Sequence, residues 1–163
     1  TEKIPVVKFI LLLVASLAAL ILIGGISFAV EASIKSALFS WLPDWYVFDT
    51  NFQSYSRESL IITAWARLAL DGIVFPITEE LYFRGFLYDR LPGASRKKWL
   101  LGALLFAVYH FWQPWNYASI FLISLVLIWP MVKFRNVYLS IAIHMSANII
   151  GSILFFGQIL HRS

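Results

Sequence analysis

The sequence predicts an all-α, polytopic transmembrane helical bundle of about five spans, its N-terminus cytoplasmic. Three observations carry that reading. The 163-residue chain is 60% hydrophobic and only 13% charged, and its mean hydropathy is +0.77; a soluble domain of this size needs far less apolar surface. The apolar residues gather into five stretches separated by short polar ones. The basic residues concentrate in alternate loops, the pattern that sets membrane topology.

The first apolar stretch covers residues 6–30, with Lys3 and Lys8 ahead of its unbroken run from Phe9 to Val30. Ser27-Phe28-Ala29 loosely resembles a cleavage site, but the run exceeds the ~7–15 residues of a signal core. A retained span is expected. The chain opens at Thr1 rather than Met, so it reads as a trimmed piece to which upstream spans can belong. Residues 41–56 hold Pro43, Asp44, Asp49 and Asn51 among Trp41, Trp45, Tyr46 and Phe48. This is the composition of a surface loop with interfacial aromatics.

The second stretch covers 57–91, with Pro76 inside it. Proline removes a helical hydrogen bond, so a kink is expected there, with freed carbonyls near Gly72 and Ile73 and Thr78 capping a restarted helix. The third, 99–112, and fourth, 117–132, are short and joined through Gln113-Pro114 between Trp112, Trp115 and Tyr117. Fourteen helical residues reach only about 21 Å, against ~30 Å of hydrocarbon. The fifth covers 137–159. Gly24, Gly25 and Gly151 are read as points of close helix approach. His161 and Arg162 belong to the terminus.

Alternating these spans puts Lys3 and Lys8, then Arg90 with Arg96–Lys98, then Lys133 and Arg135, on one side. That side is the cytoplasm. Counting inward at about 1.5 Å per residue, Glu79, His110, His144 and Asn148 lie roughly 14–20 Å from those loops. Three spans thus bring ionisable or amide side chains to one depth, which favours a single buried polar site. The count leans towards access from the cytoplasmic face.

Ionised carboxylates are costly in a bilayer, so the adjacent Glu79 and Glu80 mark a functional site by default. Glu80 precedes Arg84 by four residues, the favoured order for a helical ion pair. That assigns Glu80 and Arg84 to support of the site and leaves Glu79 as the reactive carboxylate, a candidate general base. His110 follows an aromatic-rich run and gains meaning from its depth. His144 and Asn148 share a helix face and can donate to a developing oxyanion, or simply join helices. Arg67 and Asp71 make another i,i+4 pair, read as an ion pair in the outer part of the bundle.

Glu79-Glu80-x-x-x-Arg84, Phe106-x-x-x-His110 and His144-x-x-x-Asn148, in that order on successive helices, resemble the three motifs of the CAAX protease and bacteriocin-processing family, also called CPBP or Abi. That family includes the Ras-converting-enzyme type of prenyl protease. The resemblance covers residues 74–150. It implies a metal-independent, glutamic-type intramembrane endopeptidase without a cofactor. In it Glu79 and His110 would activate water, His144 and Asn148 would stabilise the oxyanion, and Glu80 and Arg84 would hold the site together. It implies one membrane domain over 1–163, with 6–56 as N-terminal span and loop and 57–159 as catalytic core. Family members with prenylated substrates resemble an eight-helix arrangement, whereas this chain supplies about five spans. The expected substrate is therefore another membrane-associated peptide or protein, and the expected home a bacterial cytoplasmic membrane.

The absence of Cys excludes disulfides and thiolate metal sites. A net charge of +4 carried in short loops gives no reason to expect nucleic acid; the partners are the bilayer and a substrate. Three other functions stay open on the residues alone. Glu79, His110 and His144 are a ligand set for a zinc-dependent membrane protease, although HExxH spacing is missing. The bundle can be a non-catalytic scaffold or a bacteriocin self-immunity protein. A proton or ion pathway is the last, disfavoured because polar residues do not lead to both surfaces.

Overall fold

The computed structural model describes residues 2–43, 45–46 and 54–160. Asp44, Phe48, Asp49 and Asn51 of the surface loop, and His161 and Arg162, lie outside the described residues. Among the described residues there are five long helices and no strands. Helix α1 is Val6–Leu38 and α2 is Arg57–Arg90. Helix α3 is Ser95–Tyr109, α4 is Tyr117–Phe134 after a 3-10 turn at Pro114–Asn116, and α5 is Val137–Leu160. Four of the five are long and apolar enough to cross a bilayer. The chain is a helical integral membrane bundle. Helix α3, with 15 residues, reaches about 22 Å, and the turn at 110–116 carries the chain onward.

Local chemistry sets the helix starts. Ser56 Oγ accepts from the Ser59 amide at 3.2 Å, an N-cap for α2. Asn136 Oδ1 accepts from the Leu139 amide at 2.9 Å and does the same for α5. Arg135, at φ 49°, makes the left-handed residue that ends α4.

Helix α5 is the hub. Leu139 and Ile143 pack with Leu20 of α1 and Leu127 of α4, and Phe155 and Ile159 pack with Leu60 and Ala64 of α2. Phe83, Phe106, Ala107 and Ile120 join α2, α3 and α4. Close approach occurs at Gly102, where a Cβ would sit 2.5 Å from Ile128 Cδ1. Gly24, Gly25 and Gly151 have nothing within 4 Å of a Cβ, so they do not mark helix crossings. Small residues act at crossings only where another helix faces them.

The three basic loops do meet at one end. Arg135 pairs with Asp89 at 3.0 and 3.3 Å, and Lys98 donates to the Asp89 carbonyl at 2.9 Å. Asn136 donates to the Glu2 carbonyl at 2.8 Å. At the opposite end Trp115 Nε1 donates to Glu31 at 3.0 Å, and the Tyr46 hydroxyl donates to the Phe111 carbonyl. Trp41 and Trp45 are exposed there.

Pro76 does not break α2. The helix widens into a π turn at Leu70–Val74 and continues through the proline. A second π stretch follows at Leu81–Leu87. In the first π turn the Phe75 amide bonds to the Leu70 carbonyl. The next acceptor in that register is the carbonyl of Asp71, and Pro76 has no N–H to give it. The Asp71 carbonyl is therefore freed, immediately before Gly72 and Ile73, where freed carbonyls are expected. Thr78 does not cap a new helix: its hydroxyl donates back to the Val74 and Phe75 carbonyls, both at 3.0 Å.

Candidate active site

The foundation is a buried ion pair. Glu80 and Arg84 are both 0% exposed, and Glu80 Oε2 faces Arg84 Nε at 3.2 Å. Arg84 Nη2 donates to Ser124 Oγ of α4 at 2.8 Å. The guanidinium lies 4.1 Å from the centre of the Phe106 ring of α3. Arg84 thus ties α2 to α3 and α4 through charge, hydrogen bond and cation–π contact. Ser124 was missed in the sequence; the available signal was a hydroxyl in the middle of an apolar span.

The other oxygen of Glu80 reaches α5. Glu80 Oε1 lies 2.9 Å from His144 Nδ1, and a carboxylate there requires Nδ1 to carry the proton. That fixes the ring and leaves Nε2 directed to Glu79 Oε2, 3.9 Å away, beyond direct hydrogen-bond reach. His110 is held the same way. Its Nδ1 donates to the Phe106 carbonyl at 2.8 Å, so its Nε2 is a free acceptor. The residue sits one position past the end of α3, at φ −81°, ψ 43°. Phe106 spaces the two imidazoles, with ring centres 4.7 Å from His110 and 6.0 Å from His144.

Asn148 Nδ2 donates to the Asp71 carbonyl at 2.8 Å. This is the carbonyl that Pro76 leaves unpaired. One carboxamide N–H therefore closes the π turn of α2, and the second remains uncommitted.

Glu79, His110, His144 and Asn148 all line one cavity of about 490 Å³. Their common depth is a common space. Arg67 and Asp71 form the expected ion pair, with a closest approach of 3.4 Å, and both line the cavity too. The wall runs from Glu79 to Arg67, Trp112, Gln113 and Ser152. These lie towards the end opposite the basic loops, whereas Glu80, Arg84 and Ser124 fill the space below. Among the described residues no three His, Asp or Glu side chains converge as a metal-binding group.

Residues 61–150, more than half of the chain, match the family model Rce1-like, described as type II CAAX prenyl endopeptidase Rce1-like. The chain belongs to the Rce1-like family. Glu79, Glu80, Arg84, His110, His144 and Asn148 all fall inside the matched segment. UPF0177 protein YxdF of Lactococcus lactis subsp. lactis is 29% identical over 80 residues, 49% of this chain and 45% of that protein. The alignment thus spans about half the length of that curated relative. No solved structure matches the chain.

Proposed function

We propose that this Rce1-like chain is an intramembrane endopeptidase of glutamic type, acting on a membrane-associated peptide or protein in a bacterial cytoplasmic membrane. One observation carries the proposal: Glu79, His110, His144 and Asn148 converge on a single cavity inside a membrane bundle, in a chain whose family is that of a peptidase.

Water held by Glu79 and His110 Nε2 gives up a proton to that pair as its oxygen attacks the scissile carbonyl carbon. The C=O pair moves to oxygen. His144, carrying a proton on each ring nitrogen, donates Nδ1–H to Glu80 and Nε2–H to that oxyanion, and the uncommitted N–H of Asn148 adds a second donor. Collapse re-forms the carbonyl and breaks the C–N bond, and the proton held at Glu79 and His110 passes to the leaving amine. Glu80 and Arg84 act through His144 and are positioning residues.

The test is cleavage by purified full-length protein in liposomes, read by mass spectrometry on membrane-peptide mixtures. Wild type is expected to yield new termini. Glu79→Gln and His110→Ala are each expected to lose at least about 10²-fold in rate. Equal cleavage by Glu79→Gln sinks the proposal.

A further inference from the structure

Helix α2 carries two i,i+4 ion pairs that differ in one respect. Glu80–Arg84 is sealed, with both side chains 0% exposed. Arg67–Asp71 is open, with both side chains 43% exposed and both on the wall of the active-site cavity. Arg67 is ten residues from the start of α2, about 15 Å along the helix. A charge at such depth is expensive unless it faces a polar space.

The orientation of Arg67 is specific. Its closest approach to Asp71 is through Nε, and Nε is itself buried, so the exposed surface lies elsewhere on the side chain. The guanidinium stands over the Phe155 ring, 4.5 Å from its centre, which holds the plane in place. With Nε turned to Asp71, the two terminal nitrogens form the free edge, the fork that receives a carboxylate in two parallel hydrogen bonds. Asp71 in turn is tied by its carbonyl to Asn148 at 2.8 Å, which couples this edge to the reacting end of the cavity.

We propose that Arg67 is a specificity-determining anchor for a substrate carboxylate, a reading that rests on the peptidase function proposed above. Arg67, Asp71, Phe75 and Glu79 follow at every fourth position and all line the cavity. Arg67 and Glu79 are therefore about 18 Å apart along the helix. An extended peptide covers about 3.4 Å per residue. Allowing for the reach of both side chains, the anchored carboxylate lies about three to five residues from the scissile bond. A chain terminus and an Asp or Glu side chain offer the same group.

Binding tests this without catalysis. The probe is a pool of fluorescein-labelled dodecapeptides with randomised apolar residues, added to Glu79→Gln protein in nanodiscs. It is made in three forms: free acid, C-terminal amide, and amide with one Glu near the C-terminus. The acid is expected to bind at least about tenfold tighter than the plain amide. If a side chain is the true source, the Glu-bearing amide matches or exceeds the acid. Adding Arg67→Gln is expected to abolish the preference, and Arg67→Lys to keep part of it. Adding Asp71→Asn is expected to strengthen it, because a competing carboxylate is removed. A merely structural pair predicts that Arg67→Gln and Asp71→Asn move binding in the same direction. Equal binding of all three peptide forms, no binding of any, or loss of preference in Asp71→Asn overturns the anchor. Selective binding without cleavage by wild type overturns the peptidase reading and leaves the anchor standing.

Discussion

Glu80 Oε1 meets His144 Nδ1 at 2.9 Å while Glu80 Oε2 faces Arg84 at 3.2 Å, so one buried carboxylate orients an imidazole and neutralises a guanidinium. Glu79, the neighbouring residue, borders the cavity instead. The two glutamates should therefore fail in different ways when truncated. Glu80→Ala leaves a fully buried Arg84 uncompensated and is expected to cost about 3–5 kcal/mol. Glu79→Ala is expected to cost less than about 1.5 kcal/mol. Thermal denaturation of both variants in detergent checks the contrast. Equal destabilisation would contradict the division of roles.

Ser124 contributes to the same network from α4. Ser124→Ala leaves Arg84 Nη2 without its 2.8 Å partner, and Arg84 Nη1 already lacks one. The expected loss is about 1–3 kcal/mol, seen as a lower melting temperature. Stability equal to wild type would mean that Arg84 is held by Glu80 and Phe106 alone.

Asn148 and Pro76 are coupled through the Asp71 carbonyl. Asn148→Ala removes its hydrogen-bond donor, at an expected cost of about 1–3 kcal/mol. Pro76→Ala restores a backbone N–H beside that carbonyl. In the Pro76→Ala background, the cost of Asn148→Ala is expected to fall by about 1 kcal/mol or more, a coupling measurable by a double-mutant cycle. Strict additivity would show that the π turn does not depend on Asn148.

Glu79, His110 and His144 also form the ligand types of a zinc site, and chelation separates the two chemistries. Cleavage is expected to persist undiminished after prolonged EDTA treatment, with no stoichiometric metal by elemental analysis. Loss of cleavage restored by added zinc would move the mechanism to a metal-bound water.

Much of this was legible in the sequence. Apolar stretches gave the helices, and alternating Lys and Arg gave the grouping that the Asp89–Arg135 pair now joins. Counting from loops placed Glu79, His110, His144 and Asn148 in one layer because helical rise is regular. The rest depended on backbone register and on neighbours distant in sequence. A proline announces a missing hydrogen bond, but only the π register identifies Asp71 as a freed acceptor. Ser124 lies forty residues from Arg84, and no local spacing links them. Arg67 and Asp71 read as an ordinary helical pair, since an i,i+4 pattern carries no information about the cavity beyond it.

The central claim is that Glu79 activates water to cut a peptide bond within the membrane. The most direct measurement compares strains of the native host expressing wild type or Glu79→Gln at equal membrane abundance, with membrane and secreted peptides profiled by mass spectrometry. The account predicts at least one peptide that is processed with wild type and stays intact with Glu79→Gln. Identical profiles, with the wild-type phenotype retained by the variant, would contradict it and favour a scaffold or self-immunity role.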